Sequence, residues 1–215
     1  MDKVAVLSSG GLDSSVLLAD MATSAIVHPV YIRKGLVWEE AEIEALQAFV
    51  AALNEANIRP VTILDLPISP IYGEHWSVTG KGIPAADDPD LMVFLPGRNV
   101  LLIGLAAVWC ATHAVQRIAI GSLGGNPFPD ATPEFFRAFG ELLSEALGSH
   151  IEIVAPYRGM HKEQLIQAHA KLPLEKTLTC MAPRGGRHCG ACNKCRERQV
   201  AFKVAGVSDR TAYRS

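Results

Sequence analysis

Two stretches of this chain carry residues that can do chemistry at short spacing. The first is Ser8-Ser9-Gly10-Gly11-Leu12-Asp13-Ser14-Ser15, which follows the apolar run Lys3 to Leu7 and precedes the apolar Val16-Leu17-Leu18-Ala19. A strand that ends in small residues and turns at once into a helix builds an anion site. Glycine lets the backbone approach an oxyanion closely, and free N–H groups at the helix start favour negative charge. Ser8, Ser9, Ser14 and Ser15 add hydroxyl donors. This is a phosphate cradle but not a Walker A loop, because the sequence has no Gly-x-x-x-x-Gly-Lys-Ser/Thr. A Gly-Gly pair alone would mark no more than an ordinary strand–turn–helix. The full string with Asp13 and Ser14 says more than that. The second stretch is Cys180-x8-Cys189-x2-Cys192-x2-Cys195. Four thiolates satisfy tetrahedral Zn²⁺ and leave no open position, so the expected role is structural, with one ion per chain. Redox Cys-x-x-Cys chemistry and disulfides are the alternatives. Lys194, Arg184 and Arg187 are expected to offset the charge of a four-thiolate centre, and His188 is a conceivable replacement ligand. The fifth cysteine, Cys110, sits in an apolar run and reads as core.

These stretches need elements to hold them. The chain has 215 residues, is 49% hydrophobic and carries a net charge of −2. That suits one α/β domain with a small appendage, expected as residues 1–175 and a zinc-binding tail over 176–215. Strands are expected at Lys3–Leu7, Ile26–Ile32, Val61–Leu64, Arg117–Ile120 and Ile151–Val154. Helices are expected at Trp38–Glu55, Arg98–Ala114, Pro133–Leu147 and His161–Lys171, with a last helix running to about Ala205. Residues 65–96, rich in proline, read as mostly loop. Glu39, Glu40, Glu42 and Glu44 read as a solvated helix face, and Leu142 as one of the inward residues of its helix. Strands alternating with helices argue a doubly wound, five-stranded, mostly parallel sheet, with a C-terminal zinc-binding helical appendage. Ligands of such sheets bind beyond the carboxyl ends of the strands, where the segments after Leu7, Ile120 and Val154 lie.

The near-neutral charge argues against stable nucleic-acid binding, and the longest apolar run, Val100 to Cys110, is too short for a membrane span. The start at Met1-Asp2-Lys3 shows no signal peptide, and five cysteines without one point to a reducing cytoplasm.

The Ser-Gly-Gly-Leu-Asp-Ser string resembles the pyrophosphate loop of the N-type ATP pyrophosphatases, with their adenine nucleotide alpha hydrolase-like fold. Together with the cysteine tail, the whole chain resembles the 7-cyano-7-deazaguanine synthase family of the queuosine and archaeosine pathway. Pro96-Gly97-Arg98-Asn99 is similar to the family's Pro-Ala-Arg-Asn. Pro129-Asp130 followed by Pro133-Glu134-Phe135 is similar to its Tyr-Pro-Asp-Cys-Arg-Pro-Glu-Phe, and Lys162 to Ile166 to its Lys-x-x-Ile-Ile. The resemblance implies attack on the α-phosphorus of ATP, with Mg²⁺ on the phosphates, and a cradle at Leu7, Ser8, Ser9, Gly10, Gly11, Leu12, Asp13, Ser14 and Ser15. It implies catalytic roles for Asp13, Ser14, Lys162 and Arg98, and substrate contacts for Asn99 and Asp130. The acceptor would be a purine-like acid, 7-carboxy-7-deazaguanine, with ammonia as second substrate, and the assembly a homodimer. Tyr31-Ile32-Arg33-Lys34-Gly35 and Gly124 to Thr132 depart from the family pattern. Those departures leave room for a paralogue with another acceptor or an amide product. A tRNA-thiolating relative would need a reactive cysteine, and only Cys110 is spare. A module that binds ATP without turnover is the reading from outside enzymology.

Overall fold

The computed structural model describes residues 1–214. Five strands, β1 (Lys3–Leu7), β2 (Ile26–Arg33), β3 (Thr62–Asp65), β4 (Arg117–Ile120) and β5 (Glu152–Val154), form one sheet in the order β3-β2-β1-β4-β5. Every pairing is parallel, as in Leu7 opposite Val30 on one side and Ile120 on the other. The helices are α1 (Leu12–Ala22), α2 (Glu39–Leu53), α3 (Ser69–Tyr72), α4 (Trp76–Thr79), α5 (Arg98–Thr112), α6 (Pro133–Leu147), α7 (Lys162–Ala168) and α8 (Asn193–Ala205). The stretch expected as loop carries the single-turn α3 and α4 and a 3-10 turn at Asp90–Val93.

Side-chain alternation on β1 builds two cores. Val4 and Val6 face one of them, with Val16 and Leu17 of α1, Leu46 of α2, Leu165 of α7 and Phe202 of α8. Ala5 and Leu7 face the other, with Ile103 and Ala107 of α5 and Phe136 of α6. A central parallel strand buried on both sides must be apolar at every position, and Val4 to Leu7 is. No helix among the described residues is long and apolar enough to cross a membrane.

The chain lays down β1, β2 and β3 in one direction, then returns to place β4 on the other side of β1. The loops that leave β1 and β4 therefore part company, and the crevice between them is the ligand position of such sheets. A smaller third cluster joins Leu36, Trp38 and Ile68 to Leu178, Cys180, Cys192 and Cys195, so the cysteine tail is packed on the segments after β2 and β3.

Leu142 is exposed, whereas Phe136 is buried and Phe135, Phe139 and Leu143 pack on the core. Leu142 sits one heptad past Phe135, about 120° from Phe136, at the edge of the inward stripe and not on its centre. Glu39 and Glu42 are also unlike the expected solvated face: Glu39 is buried and Glu42 half-buried in a polar cluster.

Candidate active site

The N-terminus of α1 shows how sequence makes the anion site. Gly10 has φ +70°, and a Cβ there would lie 2.3 Å from the Glu42 carbonyl oxygen, so the turn requires glycine. Gly11 caps α1 without a side-chain acceptor, which leaves the first-turn N–H groups for an anion. Gly121, just past β4, is pressed on the same turn: a Cβ there would stand 3.0 Å from Asp13 C and Ser14 N.

The hydroxyls divide. Ser9 and Ser14 meet at 3.2 Å between their Oγ atoms, and Ser14 Oγ also donates to Gly11 O. Ser8 turns back and donates to Val6 O at 3.0 Å. Ser15 Oγ, Ser122 Oγ and Asp13 Oδ1 are buried with no hydrogen-bond partner among the described residues. Buried polar atoms are nearly always satisfied, and two of these orphans, on Asp13 and Ser122, belong to residues that line one cleft, which fits a polyanion or cation ligand.

These residues line a cleft of about 980 Å³. Leu7, Ser8, Ser9, Gly11, Leu12, Asp13 and Ser14 reach its wall, as do Arg98, Asn99, Asp130 and Lys162. Gly10 and Ser15 lie behind that surface, Gly10 under α2 and Ser15 fully buried. Lys162 enters at the first turn of α7, whose start is fixed where the His161 N–H donates to Gln164 Oε1 at 2.8 Å. Its Nζ stands 3.3 Å from Asp13 Oδ2 and also pairs with Glu197 Oε1. Burial works against charge on Lys162, but Asp13 and Glu197 outweigh it and hold the ammonium protonated beyond the usual lysine range. Burial likewise opposes ionisation of Glu197, yet Lys162 and Lys194 pull its carboxyl down to about 2. Asp13 goes the other way: burial lifts its carboxyl, with Lys162 opposing.

Asn99 and Asp130 grip each other across the cleft wall. The Asn99 N–H donates to Asp130 Oδ2 and its Nδ2 to Asp130 O, both at 2.9 Å. Asp130 thus caps α5 with a carboxylate, a favourable place for one. Phe94 and Phe128 stack beside them at 4.8 Å between centroids. Arg98 is exposed and makes no ion pair among the described residues.

At the end of β2 a polar cluster went unread in the sequence. Tyr31 Oη donates to Glu42 Oε2 at 2.7 Å, and Trp38 Nε1 to Glu42 Oε1 at 3.1 Å. Lys34, buried, donates to Ile32 O at 2.9 Å and pairs with Glu39 at 3.6 Å. Ser122 and Glu197 were also unread. Ser122 had a signal, the Gly-Ser at the end of β4. Glu197 had none, since 35 residues separate it from Lys162.

The four cysteine sulfurs all lie within 4.8 Å of one another, and Cys189 and Cys195 are 3.8 Å apart. A tetrahedron with Zn–S of ~2.3 Å has an edge of roughly 3.8 Å, so the set fits zinc. His188 stands outside this compact set, and its Nε2 accepts the Thr179 N–H at 2.9 Å. Arg184 and Arg187 are exposed and Lys194 pairs with Glu197. The buried cation of the tail is Arg198, which donates to Thr177, Thr211 and Leu174 at 2.8 Å each. The tail also meets the turn before α1 directly, where the Leu178 N–H donates to Gly10 O at 2.8 Å.

The family model described as queuosine biosynthesis protein QueC matches residues 3–206. A 7-cyano-7-deazaguanine synthase 1 of Desulfitobacterium hafniense is 31% identical, over 94% of this chain and 92% of that protein. A 7-cyano-7-deazaguanine synthase of Methanothermobacter thermautotrophicus is 30% identical over the full length of both. Among solved structures, the chain resembles a predicted subunit of tRNA methyltransferase from Methanocaldococcus jannaschii, with TM-score 0.53 and 14% identity, over 97% of this chain and 90% of that one. That likeness speaks for the fold alone.

Proposed function

The chain belongs to the QueC family of queuosine-biosynthesis proteins, and on that footing we propose that it is an ATP-dependent carbon–nitrogen ligase acting on 7-carboxy-7-deazaguanine. The observation that carries this reading is the turn after β1, with its orphaned Ser122 Oγ and Asp13 Oδ1 beside the Asp13–Lys162 pair. A carboxylate oxygen is a poor leaving group, and transfer of AMP to it makes a good one. The substrate oxygen attacks the α-phosphorus, the bond to the β-phosphoryl oxygen breaks, and pyrophosphate leaves. Ammonia then takes the acyl carbon, AMP departs, and an amide remains. A second ATP activates the amide oxygen, and its loss with AMP gives the nitrile.

The first-turn N–H groups of α1, Ser9, Ser14 and Lys162 stabilise the charge that grows on the departing pyrophosphate. Asp13, with one oxygen on Lys162 and one buried without a partner, would hold Mg²⁺, whose charge offsets that of the phosphates. Arg98 offers its fork of donors to the acid. The Asp130 carboxylate and the Phe94–Phe128 pair suit the N–H edge and face of a guanine-type ring. Cys180, Cys189, Cys192 and Cys195 would hold zinc as a structural ion.

The test is incubation of zinc-loaded protein with ATP-Mg²⁺, the acid and ammonium, with products read by mass. AMP, pyrophosphate and the nitrile are expected. An amide as final product would replace the nitrile assignment, and no acid-dependent AMP release would overturn the acceptor.

A further inference from the structure

Lys162 has one more carboxylate than a phosphate clamp needs. Its ammonium is shared between Asp13, on the phosphate turn, and Glu197, on α8. Glu197 is held in turn by Lys194, whose Nζ is 2.7 Å from its other oxygen. All four side chains line the cleft. Two cations and two anions balance here before any ligand arrives. With two carboxylates on it, Lys162 keeps one N–H for a pyrophosphate oxygen, and a firmer grip on that group has to take the place of a carboxylate. Asp13 is fixed on the first turn of α1, and its second oxygen is already buried. Glu197 is the partner with an alternative, because Lys194 can keep it when Lys162 lets go. Its backbone is held as well. Arg198, the next residue, ties α8 to Thr177, Thr211 and Leu174.

We propose that Glu197 is an exchange partner for Lys162: it yields the ammonium to the pyrophosphate group of the bound nucleotide and reclaims it when pyrophosphate leaves. It is a positioning residue that acts through Lys162, and its function is to keep the site from holding its own product too tightly. Competition between a protein carboxylate and a phosphate for one cation costs affinity and speeds release. A merely structural salt bridge has the opposite signature, since removing it loosens Lys162 and weakens binding. The inference rests on the nucleotide reading of the cleft and deepens it.

The experiment is calorimetric titration of zinc-loaded protein with magnesium pyrophosphate and, separately, with ATP-Mg²⁺. The Glu197→Gln protein is expected to bind pyrophosphate about tenfold more tightly than wild type. Pyrophosphate should also inhibit its turnover at correspondingly lower concentration. Glu197→Asp, which keeps the charge, should return affinity towards wild type. The zinc-to-protein ratio and melting temperature establish that each variant is folded. If Glu197→Gln does not fold, Glu197→Met makes the same test with similar volume and no charge. Unchanged or weaker pyrophosphate binding by the folded, uncharged variant overturns the exchange role and leaves the nucleotide site intact. A wild-type protein that binds neither pyrophosphate nor ATP overturns the nucleotide reading and this inference together.

Discussion

The turn after β1 and the cluster after β2 are both polar, both at strand ends and both on the wall of one cleft, yet they are built oppositely. After β1, first-turn N–H groups have no side-chain cap, and Asp13 Oδ1, Ser15 Oγ and Ser122 Oγ have no partner among the described residues. After β2, polar groups are spent on each other: Tyr31 and Trp38 on Glu42, Lys34 on Glu39 and Ile32 O, and the Gly35 N–H on Glu39 at 2.7 Å. Unsatisfied buried groups cost folding energy that a ligand can return, whereas satisfied ones rigidify a wall and set its shape. On the proposed function, the first region binds and the second defines what fits.

The cysteine tail supports both regions, through Leu178 on Gly10 and through the cluster of Leu36 and Trp38 with the cysteines. The largest expected effect therefore does not separate them. Cys192→Ser should give insoluble or zinc-free protein, checked by metal analysis, because binding of such an ion is coupled to folding. A soluble, fully active, zinc-free variant would break the link between tail and cleft.

Asp13→Asn comes next and strikes one region only. Turnover is expected to fall about 10²–10³-fold while the melting temperature moves little. Tyr31→Phe strikes the other region. It leaves Glu42 Oε2 without its donor and should cost ~1–3 kcal/mol in denaturant unfolding, with nucleotide affinity nearly unchanged. If Tyr31→Phe instead abolished ATP binding at full stability, the contrast between the regions would fail. Ser122→Ala is the smallest and sharpest case. Its hydroxyl has no partner among the described residues, so stability should stay within about 0.5 kcal/mol while nucleotide affinity drops a few-fold.

The turn after β1 was legible as a turn because strand, glycines and helix start are contiguous. The cysteine set was legible for the same reason. The β2 cluster was not, although its pattern was present. Glu39 and Glu42 continue the stripe of Ile43, Leu46 and Phe49, and only their charge suggested solvent. The stripe runs past the end of the core and into the cleft, where Tyr31 and Lys34 wait for those carboxylates. Glu197 lies beyond any local pattern, since it meets Lys162 only through the packing of α7 on α8.

The central claim is that this cleft transfers AMP to a carboxylate oxygen. Acid labelled with ¹⁸O in its carboxylate, incubated with ATP-Mg²⁺ and ammonium, tests it directly by mass spectrometry of the nucleotide. The account predicts AMP carrying one ¹⁸O, with unlabelled pyrophosphate. Unlabelled AMP, or ADP with the label in inorganic phosphate, would contradict it.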